Sequence, residues 1–285
     1  MNITPQSLRS DFPRLRDRQS SLPLVMGILN VTPDSFSDGG RYKDADAALR
    51  AAEAMVEAGA DIIDVGGEST RPGAQPVSAR EEIDRVLPVI RAIRRELDVA
   101  LSIDTRKADV MQAATGEGVD LINDVMALRD PGALEAARDS GAWICLMHMQ
   151  GEPRTMQADP HYEYVVRDVR TFLEARIDVC VEAGISRDRL IVDPGFGFGK
   201  KLAHNLSLLK HLRNIAAIRL PVMVGISRKS MIGALSDGVP AEQRLPGSLA
   251  AATLAAWLGA AIIRVHDVPE TVQALRLCAA VQLAD

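Results

Sequence analysis

Short apolar runs alternate with helix-period stretches from one end of this 285-residue chain to the other. The runs fall at 24–29, 61–65, 99–103, 121–122, 143–147, 190–192, 222–224 and 261–265. Between them, apolar side chains recur at a period near 3.6, as in 45–58, 80–96, 165–183 and 271–281, which predicts helices. Two of the repeats share a spelling, Glu57-Ala58-Gly59-Ala60-Asp61 and Gly116-Glu117-Gly118-Val119-Asp120. Each places a glycine between a helix and the next strand, where a left-handed residue ends the helix cheaply. Eight such βα units predict a single (β/α)8 TIM barrel, a fold of about 250 residues whose active site opens at the C-terminal ends of the strands. A doubly wound sheet is the alternative, but it would carry a Gly-rich dinucleotide fingerprint after the first strand, and none is present. No Pro/Gly/Ser linker divides the chain, so residues 23–285 read as one domain behind a polar, Arg- and Ser-rich extension, 1–22.

Charge and cysteine usage narrow the function. A net charge of −5 argues against a general nucleic-acid or membrane surface, so an anionic ligand must be held by a local cluster of donors. The three cysteines, Cys145, Cys180 and Cys278, have neither metal spacing nor a disulfide framework, which suits a reducing cytoplasm. Residues 1–22 lack the apolar region of a signal peptide. The longest apolar run, 249–263, is interrupted by Thr253 and Gly259 and is shorter than the roughly 18 residues of a membrane span. It reads as a buried Ala-rich helix leading into a strand.

The strand ends carry the chemistry. Asn30, Asp64, Asp104, Asn123, His148, Asp193, Ser227, Arg264 and His266 all stand where a barrel strand meets its loop. Asp104, Asn123 and Asp193, on three different strands, offer fixed acceptors and an amide to a flat heterocycle bearing several N–H groups. Arg264 and His266 share one strand face by period-two alternation and read as an anion site. Losing either would then weaken binding of the anion and spare a bare heterocycle. The same alternation groups Ser227 with Lys229, while Arg228 reads as part of a solvated face. After the first strand comes an oxygen-rich loop, 30–40, and after the second a Gly- and hydroxyl-rich loop, 66–73, where Thr70 and Arg71 are placed to clasp phosphate. Both loops should be mobile in the free protein and close on substrate. The run Asp193-Pro194-Gly195-Phe196-Gly197-Phe198-Gly199-Lys200 is one residue short of a phosphate-binding P-loop, and Lys201 stands where a Ser or Thr should be. Its glycines instead let the loop approach a ligand, with Phe198 presenting a ring.

Taken in order, residues 27–40, 64–73, 102–105, 122–124, 146–151, 193–200, 225–233 and 262–267 resemble the dihydropteroate synthases, a likeness running from about residue 24 to 281. The resemblance implies a folate-pathway transferase that joins 6-hydroxymethyl-7,8-dihydropterin pyrophosphate to p-aminobenzoate. It implies that Asp104, Asn123, Asp193 and Lys229 hold the pterin, with Met147 along its pocket. It implies that Asn30, Thr70, Arg264 and His266 hold the pyrophosphate, with Mg²⁺ bound through Asn30. Phe198, Ser227 and the two loops, with Phe36 and Pro72 on them, would frame p-aminobenzoate. The implied catalytic set is Asp104, Asp193, Lys229 and, closing over a developing cation, Asp38. Members of the family are usually homodimers packed through late helices and are sulfonamide targets.

Two other readings share parts of this pattern. A pterin-dependent methyltransferase uses a similar barrel and Asp/Asn/Asp pocket but has no need of the first-loop motif, the Ser227-Arg228-Lys229 run or an Arg264/His266 anion site. A silent pterin-binding paralogue is opposed by the intact Asn30, Lys229, Arg264 and His266.

Overall fold

The computed structural model describes residues 22–31, 40–69, 75–152 and 155–284. Strands and helices alternate within them as β1 (Leu24–Asn30), α1 (Gly40–Glu57), β2 (Ile62–Gly66), α2 (Ala79–Glu96), β3 (Ala100–Asp104), α3 (Ala108–Gly116), β4 (Leu121–Asp124) and α4 (Ala133–Ser140). There follow β5 (Trp143–Met147), α5 (Val165–Glu182), β6 (Leu190–Asp193), α6 (Leu202–Lys210), α7 (Leu212–Ala216), β7 (Met223–Val224), α8 (Ser230–Ala234), α9 (Leu245–Trp257), β8 (Ile262–Val265) and α10 (Val268–Gln282). The strands form one eight-stranded parallel sheet in the order β6-β5-β4-β3-β2-β1-β8-β7. A parallel bridge between Val192 and Val222 joins its two ends. The architecture is the expected (β/α)8 barrel.

Local chemistry accounts for the elements. In α2 the Ser78 hydroxyl accepts a hydrogen bond from Glu81 N at 3.1 Å, Glu81 and Glu82 sit in the first turn, and Arg94 and Arg95 in the last. Each feature matches the open N–H groups and dipole of a helix end. The repeated spelling has a shared structural reason. Gly59 and Gly118 take φ of +100° and +91°, and the aspartate that follows ties the strand before it into place. Asp61 Oδ2 accepts from Val25 N at 2.9 Å. Asp120 Oδ2 accepts from Leu101 N at 2.9 Å and from Arg94 Nη2 at 2.6 Å. These ties lie at the N-terminal end of the barrel, where residues serve stability rather than catalysis.

Strand parity separates two cores. Residues such as Val25, Leu29, Ile63, Val65, Leu101 and Ile103 face the helices. Met26, Ile62, Ala100, Leu121, Trp143, Ile191 and Ile262 instead fill the barrel interior. Two residues further along four of these strands, the inward position becomes charged or an amide: Asp64 follows Ile62, Asn123 follows Leu121, Asp193 follows Ile191 and Arg264 follows Ile262. A dry plug therefore supports a charged layer at the C-terminal mouth.

Candidate active site at the barrel mouth

Arg264 organises that layer. Its Nε donates to Asp64 Oδ2 at 2.6 Å and its Nη2 to Asp104 Oδ2 at 2.7 Å. Asp64 Oδ2 also accepts from Asn123 Nδ2 at 3.2 Å, so one oxygen orients both the guanidinium and the amide. Asp104 and Asn123 are register partners on β3 and β4. Met147 and Asp193 are partners on β5 and β6, and Cys145 stands beside Asn123 between the two pairs. Residues assigned from sequence to one heterocycle pocket thus come together on four neighbouring strands. Asp64 has a larger role than a strand-end carboxylate, and its parity with Ile62 is the signal that places it inside.

The layer is short of donors. Among the described residues, Asp64 Oδ1, Asp104 Oδ1 and Ser102 Oγ are buried without a hydrogen-bond partner. Burial pushes the Asp104 carboxyl up to about 7, with Arg264 pulling it down and Asp64, Glu82 and Asp124 adding to the rise. Asp193 is likewise raised by burial, against the pull of Lys229 and of the Gly195 N–H, which donates to its Oδ1 at 2.6 Å. Burial lowers Lys229 to about 8, with Asp193 opposing. A neutral-to-cationic heterocycle presenting N–H groups would relieve this excess of acceptors.

Phe198 and a set of methionines form the apolar wall. Met126, Met147, Met149 and Met156 pack together with Val125, and Phe198 lies against them. Flexible thioethers suit the face of a flat ring. Sequence reading found Met147 but not the other three, which come from loops with no periodic pattern. Lys229 Nζ lies 4.5 Å from the Phe198 ring centre and donates to Phe196 O.

The anion side departs from the expected layout. Although Arg264 and His266 share a strand face, Arg264 turns inward to the two aspartates. His266 turns to Ser227, whose Oγ lies 3.0 Å from His266 Nδ1 and accepts from His266 N at 3.2 Å. Strand alternation does not group Ser227 with Lys229, because β7 ends at Val224 and Arg228 takes φ +58°. Nor is Arg228 a merely solvated residue. Its guanidinium pairs with both carboxylate oxygens of Asp267, Nε to Oδ2 at 3.0 Å and Nη2 to Oδ1. Asn30 ends β1 at the mouth. Phe36, Asp38, Thr70, Arg71 and Pro72 lie outside the described residues, as do most of the two loops expected to close.

Among the described residues no group of three or more His, Cys, Asp or Glu side chains is arranged to hold a metal. Asn30 offers one amide oxygen, and Gly66 keeps room beside it: a Cβ there would lie 3.8 Å from Asn30 Oδ1 and 3.6 Å from Asp104 Cβ. Mg²⁺ retains several waters and relies on substrate phosphates for the rest of its shell. The residues present therefore fit Mg²⁺ as a bridge to a bound phosphate rather than as a resident ion.

Comparison with known proteins gives the family. Residues 26–266 match the model of the pterin binding enzyme family. The dihydropteroate synthase of Escherichia coli K12 is 54% identical over 257 residues, covering 90% of this chain and 91% of its own. A Yersinia pestis dihydropteroate synthase solved with a sulfonamide drug complex superposes with a TM-score of 0.88 at 54% identity, covering 93% of this chain and 96% of that one. The Xanthomonas albilineans enzyme in complex with 7,8-dihydropteroate gives 0.84 at 46% identity, covering 93% and 95%. The chain belongs to the dihydropteroate synthase family of pterin-binding enzymes.

Proposed function

We propose that the chain condenses 6-hydroxymethyl-7,8-dihydropterin pyrophosphate with p-aminobenzoate, giving 7,8-dihydropteroate and pyrophosphate. The observation that carries this reading is the acceptor-rich layer of Asp104, Asn123 and Asp193, matched to a guanidine-like pterin edge, in a chain so close to dihydropteroate synthases. The reaction breaks the bond between the pterin methylene and the pyrophosphate oxygen and forms one from that carbon to the arylamine nitrogen, which then sheds a proton. If pyrophosphate departs first, the methylene cation delocalises into the electron-rich pterin. Asp104 and Asp193 stabilise that positive charge, and Lys229 bonds to the ring. Arg264 keeps Asp104 turned toward the pterin and, with His266 and Asn30, borders the departing anion. When bound, Mg²⁺ neutralises charge on the pyrophosphate. The Met147 wall covers the pterin face, and Phe198 borders the p-aminobenzoate beside it; together they exclude water.

The reading is tested by pyrophosphate release from the pterin pyrophosphate, measured with and without p-aminobenzoate, and with Mg²⁺ or a chelator. Release that needs p-aminobenzoate for sustained turnover and stops with the chelator is expected. Pterin binding without turnover would mark a silent pterin-binding protein, and turnover indifferent to the chelator would remove Mg²⁺ from the scheme.

The occupant of the late-helix surface is a second copy of the chain. Leu254 and Trp257 on α9 and Leu277 and Val281 on α10 are exposed large apolar residues on two helices packed side by side. Such a patch on a soluble enzyme marks an association surface. Light scattering should give twice the 30.7 kDa chain mass, reduced to one chain by Trp257→Glu. No helix among the described residues is long and apolar enough to cross a membrane, and Cys145, Cys180 and Cys278 are free and buried.

A further inference from the structure

Five consecutive carbonyls in the turn after β6 each accept a hydrogen bond from a side chain. Lys200 Nζ donates to Gly195 O at 2.8 Å and to Phe198 O at 2.9 Å. Lys229 Nζ donates to Phe196 O, Gln157 Nε2 to Gly197 O, and the Tyr162 hydroxyl to Gly199 O at 2.7 Å. Gly195, Gly197 and Gly199 all take positive φ, +68°, +79° and +60°. The turn has one backbone hydrogen bond of its own, Phe198 N to Gly195 O at 3.1 Å, and the side-chain donors add a hold on every carbonyl.

Lys200 is the hub. Besides the two turn carbonyls, its Nζ lies 2.9 Å from His148 Nδ1 and 3.3 Å from His148 O. An ammonium has three N–H donors, and the three contacts at 2.8 to 2.9 Å use all of them. None of these contacts is a carboxylate, and the residue is only 4% exposed. Burial lowers its pKa well below the ordinary lysine range, with Asp193 opposing. Burial and Lys200 together hold His148 at about 2. The imidazole is therefore neutral, and its ring lies against those of Tyr162 and Phe172. A buried ammonium without a contacting counter-ion is costly, which sets it apart from an ordinary packing residue. What it holds is the turn that carries Phe198, whose ring lies under Lys229.

We infer that Lys200 is a positioning residue for the arylamine: by gripping the carbonyls of Gly195 and Phe198 from behind, it fixes the Phe198 ring against Lys229 and so shapes the p-aminobenzoate seat. The inference rests on the reading that Phe198 borders that seat. A shift of the ring changes p-aminobenzoate binding first, because Asp104, Asn123 and Met147 hold the pterin from other strands. Asp193, although it accepts from Gly195 N, is set by its own pairing on β6, which leaves Lys229 as the charged pterin residue in contact with the Phe198 ring.

The test compares Lys200→Met, Phe198→Ala and the double variant in the complete enzyme. Steady-state kinetics in p-aminobenzoate would be set beside calorimetric affinity for a bare pterin. Phe198→Ala and Lys200→Met should each raise KM for p-aminobenzoate about tenfold, with kcat and pterin affinity changed less than about threefold. Because the lysine acts through the ring, the double variant should be no worse than the more affected single one. A normal KM in folded Lys200→Met, multiplying effects in the double variant, or pterin affinity falling in step with KM would overturn the inference. Phe198→Ala with an unchanged KM would remove the reading of the seat, and the inference with it. An affected Phe198→Ala beside an unaffected Lys200→Met would overturn the inference alone. If Lys200→Met does not fold, Tyr162→Phe releases only the Gly199 carbonyl of the same turn. It should raise the same KM about threefold, again only while Phe198 is present; no rise would overturn the inference.

Discussion

Arg264 and Asp104 face each other across the barrel mouth, Nη2 to Oδ2 at 2.7 Å, from the eighth strand to the third. With Asp64 on its Nε at 2.6 Å, the guanidinium is a fixed counter-charge to two buried carboxylates, and in the proposed reaction it would also border the leaving group. This gives Arg264 two jobs, and it separates Arg264 from His266, which is held by Ser227.

The two residues should therefore respond differently to deletion. Arg264→Ala leaves Asp64 and Asp104 buried without their cation, a change that typically costs about 3–5 kcal/mol of stability. It should weaken a bare pterin as well as pyrophosphate, because Asp104 loses its anchor and Asp64, which holds Asn123, loses its counter-ion. His266→Ala should weaken pyrophosphate and leave pterin affinity within about twofold, since His266 meets Ser227 rather than the pterin carboxylates. Calorimetry with both ligands checks this. A pterin affinity untouched in Arg264→Ala would mean that the aspartates hold their geometry unaided.

Pterin affinity should follow a bell in pH. Below about 7, Asp104 takes up a proton, so a ligand that needs the carboxylate must displace it. Affinity then falls up to about tenfold for each pH unit. Above about 8, Lys229 releases its proton and the affinity falls again. Asp193, also raised by burial, adds to the acid limb. Asp104→Asn should weaken binding at neutral pH and flatten the acid limb to the part that belongs to Asp193. An acid limb unchanged in that variant would assign it elsewhere.

Asp193→Asn should impair pterin binding more than folding. A charged acceptor for a heterocyclic N–H contributes about 1.5–3 kcal/mol, while the asparagine oxygen can still accept from Gly195 N. The expected result is a near-native melting curve with pterin affinity reduced at least tenfold, in line with that energy. Unchanged affinity in the folded variant would take Asp193 out of the pocket.

The barrel was legible because its signals are periodic. Apolar runs marked all eight strands, their ends put Asp104, Asn123 and Asp193 at the mouth, and alternation put Arg264 on one face with His266. Parity says which way a side chain starts, not where a long one ends. Arg264 has enough reach to turn from an expected anion toward Asp64 and Asp104, and nothing in its local sequence chooses between them. The turn 195–199 shows the same limit. Its glycines announced an unusual backbone, but three of the donors that hold it, Lys229, Gln157 and Tyr162, come from places that only the folded chain brings together. Asp61 and Asp120 were visible as a repeated spelling, yet their ties to Val25 and Leu101 needed the strand register.

Two glycines with nearly the same backbone separate conformation from crowding. Gly195 and Gly141 take φ of +68° and +70°, so an alanine at either meets a similar left-handed penalty of roughly 1–2 kcal/mol. Their surroundings differ. A Cβ at Gly141 meets nothing within 4 Å, whereas at Gly195 it would fall 1.9 Å from the His148 carbonyl oxygen. That oxygen cannot move freely, because His148 is tied to β6 through its N–H, which donates to Asp193 O at 2.9 Å, and to Lys200 through its ring. Gly141→Ala should thus lose only the conformational cost and keep full pterin and p-aminobenzoate affinity. Gly195→Ala should lose at least about 2 kcal/mol more, the scale of overpacking in a filled interior. It should also raise KM for p-aminobenzoate as the turn carrying Phe198 is displaced. Thermal unfolding of the pair, read beside steady-state kinetics, decides the matter: equal losses of stability would show that the turn yields to a methyl group and that His148 is not fixed.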